Sequence, residues 1–287
     1  MFSKPRRSPG SSSGAVLCKT FQDLSRSTWT LLRRGRQQGV QINEETITNL
    51  LMLRLQETKS PYLRVKSFSK KQESRTGADW EWWLGSPGSW VGFRLQAKVI
   101  NFSSDRFEHL YYVPPGGVPQ YQRLLDDALH AWPRRIPLYC LYIHWQQSIG
   151  YRRTSRAGCS FLSPLLVRSL APQPKRGLAD LYEYTRPWHE LVCPQNAPSV
   201  RQSLAAGVLS SVRQLYEESR SADPVGVFNP NEGAFQELFL DMRPASDVPA
   251  YVQQVRVGEQ PVIEDDPQLE GVTVFEELPN PERPDER

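Results

Sequence analysis

The chain reads Gly77-Ala78-Asp79-Trp80-Glu81-Trp82-Trp83 and, shortly afterwards, Phe93-Arg94-Leu95-Gln96-Ala97-Lys98. Both runs contain aromatic and branched side chains of the kind that favour strands. The linker between them begins Leu84-Gly85-Ser86-Pro87-Gly88-Ser89 and is rich in turn-forming residues. The sequence therefore predicts two neighbouring strands joined by a short loop, and we expect the rest of the fold to be organised around this pair.

Polar side chains share one face on each of these strands. Side chains alternate along a strand, so Asp79 and Glu81 lie on one face of the first strand, and Gln96 and Lys98 lie on one face of the second. If the strands pair, a carboxylate, a side-chain amide and an ammonium group can converge at one edge of the sheet. Such a set is suited to hold a divalent cation beside a phosphate.

The composition is that of an ordinary soluble protein. Of the 287 residues, 39% are hydrophobic and 23% are charged. No apolar run approaches the roughly 20 residues that a membrane-spanning helix needs, so we expect no contact with a membrane. The four cysteines are scattered without a Cys-x-x-Cys pair, which predicts reduced, mostly buried thiols and a cytoplasmic protein. They are Cys18, Cys140, Cys159 and Cys193.

Charge is distributed unevenly along the chain. The net charge is +4, but arginines and lysines concentrate near the N-terminus, including Arg33, Arg34 and Arg36, and the last thirty residues are acidic. A basic front is compatible with nucleic acid, because phosphate contacts are electrostatic and independent of sequence. For residues 1–14 alone a disordered, solvated basic tail is the competing interpretation. Residues 258–287 are predicted to be an acidic tail.

The order of predicted elements indicates an α/β core at residues 15–147. The pattern predicts helices at 16–38, 43–56 and 120–132, and strands at 62–68, at the two central runs and at 136–145. Residues 148–257 are predicted to form a mainly helical extension packed on the core. We expect helices there at 163–170 and 199–219, with a late strand at 251–257, and Val272–Phe275 is a candidate edge strand.

Glu44 lies at the start of the second helix, beside the N-cap Asn43. Its spacing from Ile47, Leu51 and Leu55 puts it in line with the buried stripe of that helix. It is either a favourable charge at a helix start or a carboxylate directed into a site at the helix end. Glu45 points about a quarter-turn away.

These features resemble the PD-(D/E)xK nuclease superfamily. The resemblance rests on an acidic residue on a first helix, the Gly-x-Asp that ends at Asp79, and the Gln-x-Lys of Gln96 and Lys98. The glutamine variant is similar to that of the Mrr-type restriction endonucleases. Over residues 40–257 the chain more narrowly resembles an uncharacterised bacterial family of unknown function. Its sequence segments are Glu44-Glu45-Thr46-Ile47-Thr48, Thr76–Trp83, Leu95-Gln96-Ala97-Lys98, Pro137-Leu138-Tyr139 and Arg186-Pro187-Trp188-His189.

The resemblance implies a restriction-endonuclease-like core, a mixed sheet flanked by helices, that hydrolyses nucleic-acid phosphodiester bonds. DNA is the favoured substrate, Mg²⁺ the expected metal with Mn²⁺ as an alternative, and defence against foreign DNA a role consistent with the superfamily. Oxygen ligands suit Mg²⁺, and we expect Asp79, the Gln96 amide and, through water, Glu44 to hold it. Lys98 is expected to position the attacking water and to stabilise the developing charge. Because Gln96 is neutral, we expect it to bind the metal more weakly than a glutamate would.

Several alternatives stay open. Glu81 is either a second ligand or a surface partner for an arginine, and the tryptophans are expected in the core rather than as a base-stacking platform. The alternative to an enzyme is a nucleic-acid-binding or protein-interaction module that keeps the nuclease fold without catalysis. Residues 148–257 could form a lid, a substrate-recognition extension or a surface for a homodimer. Among the histidines, His189 is the candidate for a functional role, because it lies in the family-like segment Arg186-Pro187-Trp188-His189. A structural role is favoured for it.

Overall fold

The computed structural model describes residues 12–69, 79–115, 117–146, 155–193, 203–221, 242–263 and 269–279. Glu73 and the residues of the Gly77 motif that precede Asp79 lie outside these ranges, as do residues 1–11 of the predicted basic tail. The described chain forms a seven-stranded mixed sheet with helices on both faces. The predicted α/β class is therefore confirmed.

The elements have the following bounds. The strands are β1 Leu63–Ser69, β2 Asp79–Ser86, β3 Ser89–Val99, β4 Arg135–Tyr142, β5 Cys159–Leu162, β6 Arg186–Pro187 and β7 Leu269–Glu277. The α-helices of the described residues are α1 Ser13–Gln37, α2 Glu44–Gln56, α3 Gln120–His130, α4 Pro164–Leu170, α5 Leu178–Leu181, α6 Leu204–Ser221 and α7 Ala250–Val257.

The sheet has the strand order β1-β7-β2-β3-β4-β5-β6. The predicted hairpin is present, because β2 and β3 are antiparallel neighbours at the centre of the sheet. On its outer sides β2 runs parallel to β7 and β3 runs parallel to β4. The N-terminal end of β2 therefore meets the C-terminal ends of β3 and β4 at one edge. We call this edge the exit edge: the C-terminal ends of β3 and β4 together with residues 36–44 and 100–105 beside them.

Alternating side chains of the central strands build separate cores on the two faces. Trp80 and Trp82 pack with residues of α1, α2 and α6 on one face, whereas Trp83 packs with α7 on the other. Helices α3 and α4 cover the β4 side of that second face. The three tryptophans are at most 2% exposed, which confirms that they belong to the core. Trp83 lies directly over Gly92 of the partner strand, where an added Cβ would come within 2.8 Å of its ring.

The prediction of an acidic tail at residues 258–287 is wrong for residues 269–277. Residues 269–277 form β7, and this strand lies between β1 and β2 rather than at an edge. Its Val272, Val274 and Phe275 are buried. The acidic residues that follow are used within the fold: Glu276 pairs with Arg64 and Arg256, and Glu277 accepts the backbone N–H of Leu204 at the start of α6. The candidate strand at Val272–Phe275 is therefore present, but it is longer than expected and lies inside the sheet rather than at its edge.

Two further predictions are wrong. The late strand at 251–257 is helix α7, which begins after Pro249 and ends at Gly258 with a positive φ of 87°. Val252 and Val255, three residues apart, form its buried stripe, so helical packing overrides the strand preference of valine. The predicted disordered stretch 1–14 also extends too far, because Ser12 caps helix α1 and Ser13 begins it.

The cysteines differ partly from expectation. Cys140 and Cys159 are buried free thiols as predicted, and burial raises the pKa of Cys140 to about 12. Cys18 and Cys193, however, form a disulfide. They are 175 residues apart in sequence and meet because α1 packs against the turn at Trp188–Leu191, a contact that cysteine spacing cannot reveal. Every described helix is too short or too polar to cross a membrane.

Candidate functional site

The hairpin register brings two of the predicted site positions directly opposite one another. Asp79, the first residue of β2, is paired with Gln96 of β3, and Glu81 is paired with Arg94. Directly opposed residues of antiparallel strands point to the same face. Lys98 lies two residues beyond Gln96 and therefore on the same face of β3. Asp79, Gln96 and Lys98 thus occupy one face at the exit edge.

Gln96 and Lys98 are nearly removed from solvent, since each is 3% exposed. Burying an ammonium group is costly unless opposite charge or hydrogen bonds compensate it. A lysine in this setting is therefore part of a constructed polar environment and not a solvated surface cation. This distinguishes Lys98 from Lys66, which is exposed on β1.

Helix α2 carries Glu44 to the same edge. The Asn43 side chain caps the helix by accepting the backbone N–H of Thr46 at 3.1 Å. Glu44, the first helical residue, is half-buried, and its Oε1 accepts the backbone N–H of Val99 at 3.1 Å. Val99 is the residue after Lys98, so the Glu44 carboxylate lies at the end of β3. Glu44 is thus a charge in the first turn of α2 that also contacts the end of β3, whereas Glu45 is exposed.

A second contact fixes α2 against the sheet. The Thr48 hydroxyl lies 2.7 Å from the hydroxyl of Tyr142, the last residue of β4, and both side chains are buried. Burial strongly raises the pKa of Tyr142 above its usual value, so this phenol stays neutral. Thr48 and Tyr142 were not predicted as a pair. They lie 94 residues apart, and neither residue type signals such a contact in a sequence.

Glu81 is the centre of a buried polar network. Its Oε1 lies 3.3 Å from Arg94 Nη1 and 2.9 Å from Arg135 Nε. Its Oε2 accepts the Trp83 indole N–H at 3.1 Å and the Tyr251 hydroxyl at 2.6 Å. The network, which we call the Glu81 network, comprises Glu81, Trp83, Arg94, Arg135 and Tyr251. Arg135 also donates to the Tyr251 hydroxyl at 2.7 Å, so the network joins β2, β3, β4 and α7.

The network decides between the two interpretations of Glu81. It is an arginine partner, as favoured, but a buried one with no exposed surface. A divalent cation at Glu81 would lie beside two guanidinium groups, which opposes binding there. Burial and the neighbouring Glu81 carboxylate both raise the pKa of Tyr251, so its hydroxyl remains a donor. Glu81 is therefore a structural carboxylate.

Helix α1 ends at the exit edge. Arg36 Nη1 donates to the carbonyl of Phe102 at 2.9 Å, and Nη2 contacts Asp105 Oδ1 and donates to the carbonyl of His144 at 3.2 Å. Gln41, in the loop to α2, bonds the backbone of both Ile100 and Phe102. These contacts hold residues 36–44 against the segment that follows β3.

His144 is a buried histidine at this edge, and its pKa is lowered. It is 4% exposed, and its ring packs 4.7 Å from the ring of Trp29. Burial, reinforced by the guanidinium groups of Arg36 and Arg33, lowers the pKa of His144 from 6.5 to about 4. The ring is therefore neutral at pH 7. His189 is also buried, in the turn after β6, as expected for a structural histidine.

The donors at the exit edge fit a hard cation incompletely. Asp79 and Glu44 offer carboxylate oxygens, Gln96 an amide oxygen and Ala97 a backbone carbonyl, all of the kind that Mg²⁺ prefers. Among the described residues, however, no group of three or more His, Cys, Asp or Glu side chains is placed to hold a metal ion. Any metal site here would need the glutamine amide, as the sequence indicated.

The fold and these positions define an α/β protein whose central hairpin ends in an acid–glutamine–lysine set beside a helix-borne glutamate. The chain belongs to a family of unknown function, DUF6615, whose model matches residues 17–280. This confirms the resemblance to an uncharacterised family and extends it beyond residues 40–257. No curated protein and no solved structure matches the chain.

Proposed function

We propose that the protein is a metal-dependent nuclease of the PD-(D/E)xK superfamily, of the Gln-x-Lys kind. The observation that carries the proposal is the register of the hairpin: Asp79 opposite Gln96, with Lys98 two residues further on the same face. The Glu44 contact at Val99 adds a carboxylate at the same strand end. Three residues of the hairpin and one glutamate from a helix thus lie at the same edge of the sheet, and this supports the proposal.

Each of these residues has a role that its chemistry suits. Asp79, Gln96 and, through water, Glu44 would hold Mg²⁺, which supplies an activated water and neutralises charge on the phosphate. Lys98 orients the attacking water and donates a hydrogen bond to the oxygen on which negative charge develops. Its burial strengthens that interaction, because little water competes with it.

DNA is the substrate that we propose, and hydrolysis of foreign DNA in a bacterial cytoplasm is the setting that the superfamily resemblance suggests. The cysteines no longer support that compartment, because Cys18 and Cys193 form a disulfide. The proposed compartment therefore rests on the substrate alone. A homodimer remains compatible with the proposal.

The test is cleavage of supercoiled plasmid and of single-stranded DNA with Mg²⁺ or Mn²⁺. We compare wild type with Asp79→Asn and Lys98→Met, which keep side-chain size, and with Lys66→Met as a control for losing a strand lysine outside the site. We expect Lys98→Met to lose about 10²–10³-fold in rate, as for loss of one transition-state donor. Asp79→Asn should lose a comparable factor, because it removes the charged oxygen ligand of the metal, and Lys66→Met should cut normally. Cutting that survives both site variants would sink the assignment.

A binding module without catalysis is the second candidate. The observation that favours it is the lack, among the described residues, of three acidic, histidine or cysteine side chains grouped for a metal. It predicts salt-sensitive DNA binding by wild type with no cutting under either metal. Cutting by wild type that depends on Lys98 would eliminate it.

A further inference from the structure

The basic residues of α1 fall into two groups that differ in their counter-ions. In the first half and the middle of the helix, Lys19 and Arg26 share one carboxylate, since Asp23 lies 3.5 Å from Lys19 Nζ and 2.7 Å from Arg26 Nη1. In the last turns the side chains of Arg33 and Arg34 are exposed, and neither forms an ion pair or hydrogen bond with any described residue. The C-terminal end of α1 therefore carries uncompensated positive charge.

This charge is held in a defined place. Arg36, whose side chain is 6% exposed, anchors the helix end through the Phe102 and His144 carbonyls and through Asp105. Its guanidinium also lies 5.0 Å from the centre of the Phe102 ring. Arg36 is thus occupied in fixing the helix, whereas Arg33 and Arg34 remain available to a ligand.

The anchored end of α1 adjoins the candidate site. From Arg36 the chain continues to Gln41, which bonds Ile100 and Phe102, and then to Glu44, which bonds Val99 beside Lys98. The positive field of the helix end reaches the same edge, because Arg33 and Arg36 both act on His144. A polyanion lying across the exit edge would pass Arg33 and Arg34.

We propose that Arg33 and Arg34 bind the sugar–phosphate backbone of a nucleic acid that lies across the exit edge. The inference rests on the proposed function for the identity of the polyanion, but it concerns binding and not cleavage. Two exposed arginines that lack counter-ions release condensed cations from DNA when they meet phosphates, which makes binding depend on salt. The competing account is that arginines in a last helical turn only complement the helix dipole.

The experiment measures binding of a short duplex DNA across a salt series, with EDTA present so that no divalent ion supports cleavage. Wild type is compared with the double variant Arg33→Gln/Arg34→Gln and with Lys19→Gln/Arg26→Gln on the same helix. We expect the site variant to reduce the slope of log affinity against log salt by about 2, close to 0.9 for each lost phosphate contact. We expect the control to leave the slope unchanged.

The outcomes separate this inference from the proposed function. An unchanged slope in Arg33→Gln/Arg34→Gln, or no binding by wild type, overturns the inference. A loss of stability in urea without a change in slope would overturn it in favour of the dipole account. A reduced slope in a protein that never cuts DNA upholds the inference and removes the nuclease assignment.

Discussion

Two cross-strand pairs stand side by side on one face of the β2–β3 hairpin, and they are built differently. The inner pair, Glu81 and Arg94, lies within the Glu81 network, where the carboxylate meets two guanidinium groups, a phenol and an indole. The outer pair, Asp79 and Gln96, lies at the strand end, with Lys98 on the same face and Glu44 at the neighbouring Val99. In the inner set two arginines, which are always charged, neutralise the Glu81 carboxylate. In the outer set the neighbours of the Asp79 carboxylate on the same face are an amide and a single ammonium group.

The difference teaches why spacing alone does not identify a ligand. Asp79 and Glu81 are two residues apart on one face of one strand, so in the sequence they have equal claims as metal ligands. The structure distinguishes the two carboxylates by the side chains from other elements that contact each of them. Arg135 of β4 and Tyr251 of α7 converge on Glu81, and both lie far from it in the chain.

The largest effect is expected from breaking the inner pair. Glu81→Gln removes the charge that compensates Arg94 and Arg135, and an unmatched buried charge costs about 3–5 kcal/mol in the free energy of unfolding. The measurement is urea unfolding at pH 7. The matched control is Glu276→Gln, another strand glutamate with two arginine partners.

The control differs in exposure. The side chains of Arg64 and Arg256, the partners of Glu276, are 50% and 23% exposed, so water can take over their solvation. We expect Glu276→Gln to cost about 1 kcal/mol. Equal losses in the two variants would mean that the inner pair is no better enclosed than the ion pairs of Glu276.

The local part of this architecture could be predicted from the sequence. Turn residues and aromatic runs indicated the β2–β3 hairpin, and Asn43 marked the start of α2. Alternation put Asp79 with Glu81 on one face of β2 and Gln96 with Lys98 on one face of β3, and the observed register joined the two faces. These features depend on residues close together in the chain. The burial of the tryptophans followed from side-chain size alone.

The remainder depends on contacts between distant segments. β7 enters the sheet between β1 and β2 although its sequence lies in an acidic region. Its nearest pairing in sequence, Asp79 with Leu269, spans 190 residues (269 − 79), so no local pattern could indicate the position of β7 in the sheet. The Glu81 network and the anchoring of Arg36 likewise join separate elements. No local pattern predicts which arginine will reach a given carboxylate, so these parts of the site were visible only in the structure.

The second prediction concerns the exit edge, where positive charge is close to a buried histidine. Because the pKa of His144 is lowered to about 4 from 6.5, the unfolded chain binds a proton more readily than the folded one as the pH falls below about 6.5. The stability that the neutral ring contributes is therefore lost progressively between pH 6.5 and pH 4. Because water screens part of the repulsion from the arginines, we expect a loss of about 1–2 kcal/mol between pH 7 and pH 5.

The measurement is urea unfolding at both pH values for wild type, His144→Asn and His109→Asn. His144→Asn should lose less stability than wild type over this range, and the difference between the two proteins should shrink as the pH falls. His109 is exposed, so its replacement should leave the pH dependence as it is in wild type. Identical pH dependence in all three proteins would contradict a neutral, charge-repelled His144.

The smallest effect on stability, and the sharpest test of the outer pair, comes from Glu44. Glu44→Gln keeps an oxygen that can accept the Val99 N–H and removes a charge from the first turn of α2. Glu45→Gln removes a charge from the same turn without touching β3. Each should therefore lower the free energy of unfolding by less than about 1 kcal/mol, the usual range of a helix-dipole interaction.

Cleavage separates the two variants. If the Glu44 carboxylate serves the outer pair, Glu44→Gln should cut DNA at least about tenfold more slowly, a change of about 1.4 kcal/mol in the barrier, and should need more Mg²⁺ to reach half its maximal rate. Glu45→Gln should match wild type in both respects. Equal rates in Glu44→Gln and Glu45→Gln would reduce Glu44 to a helix-start charge that happens to bond Val99, and the outer pair would then have to work with Asp79 as its one carboxylate.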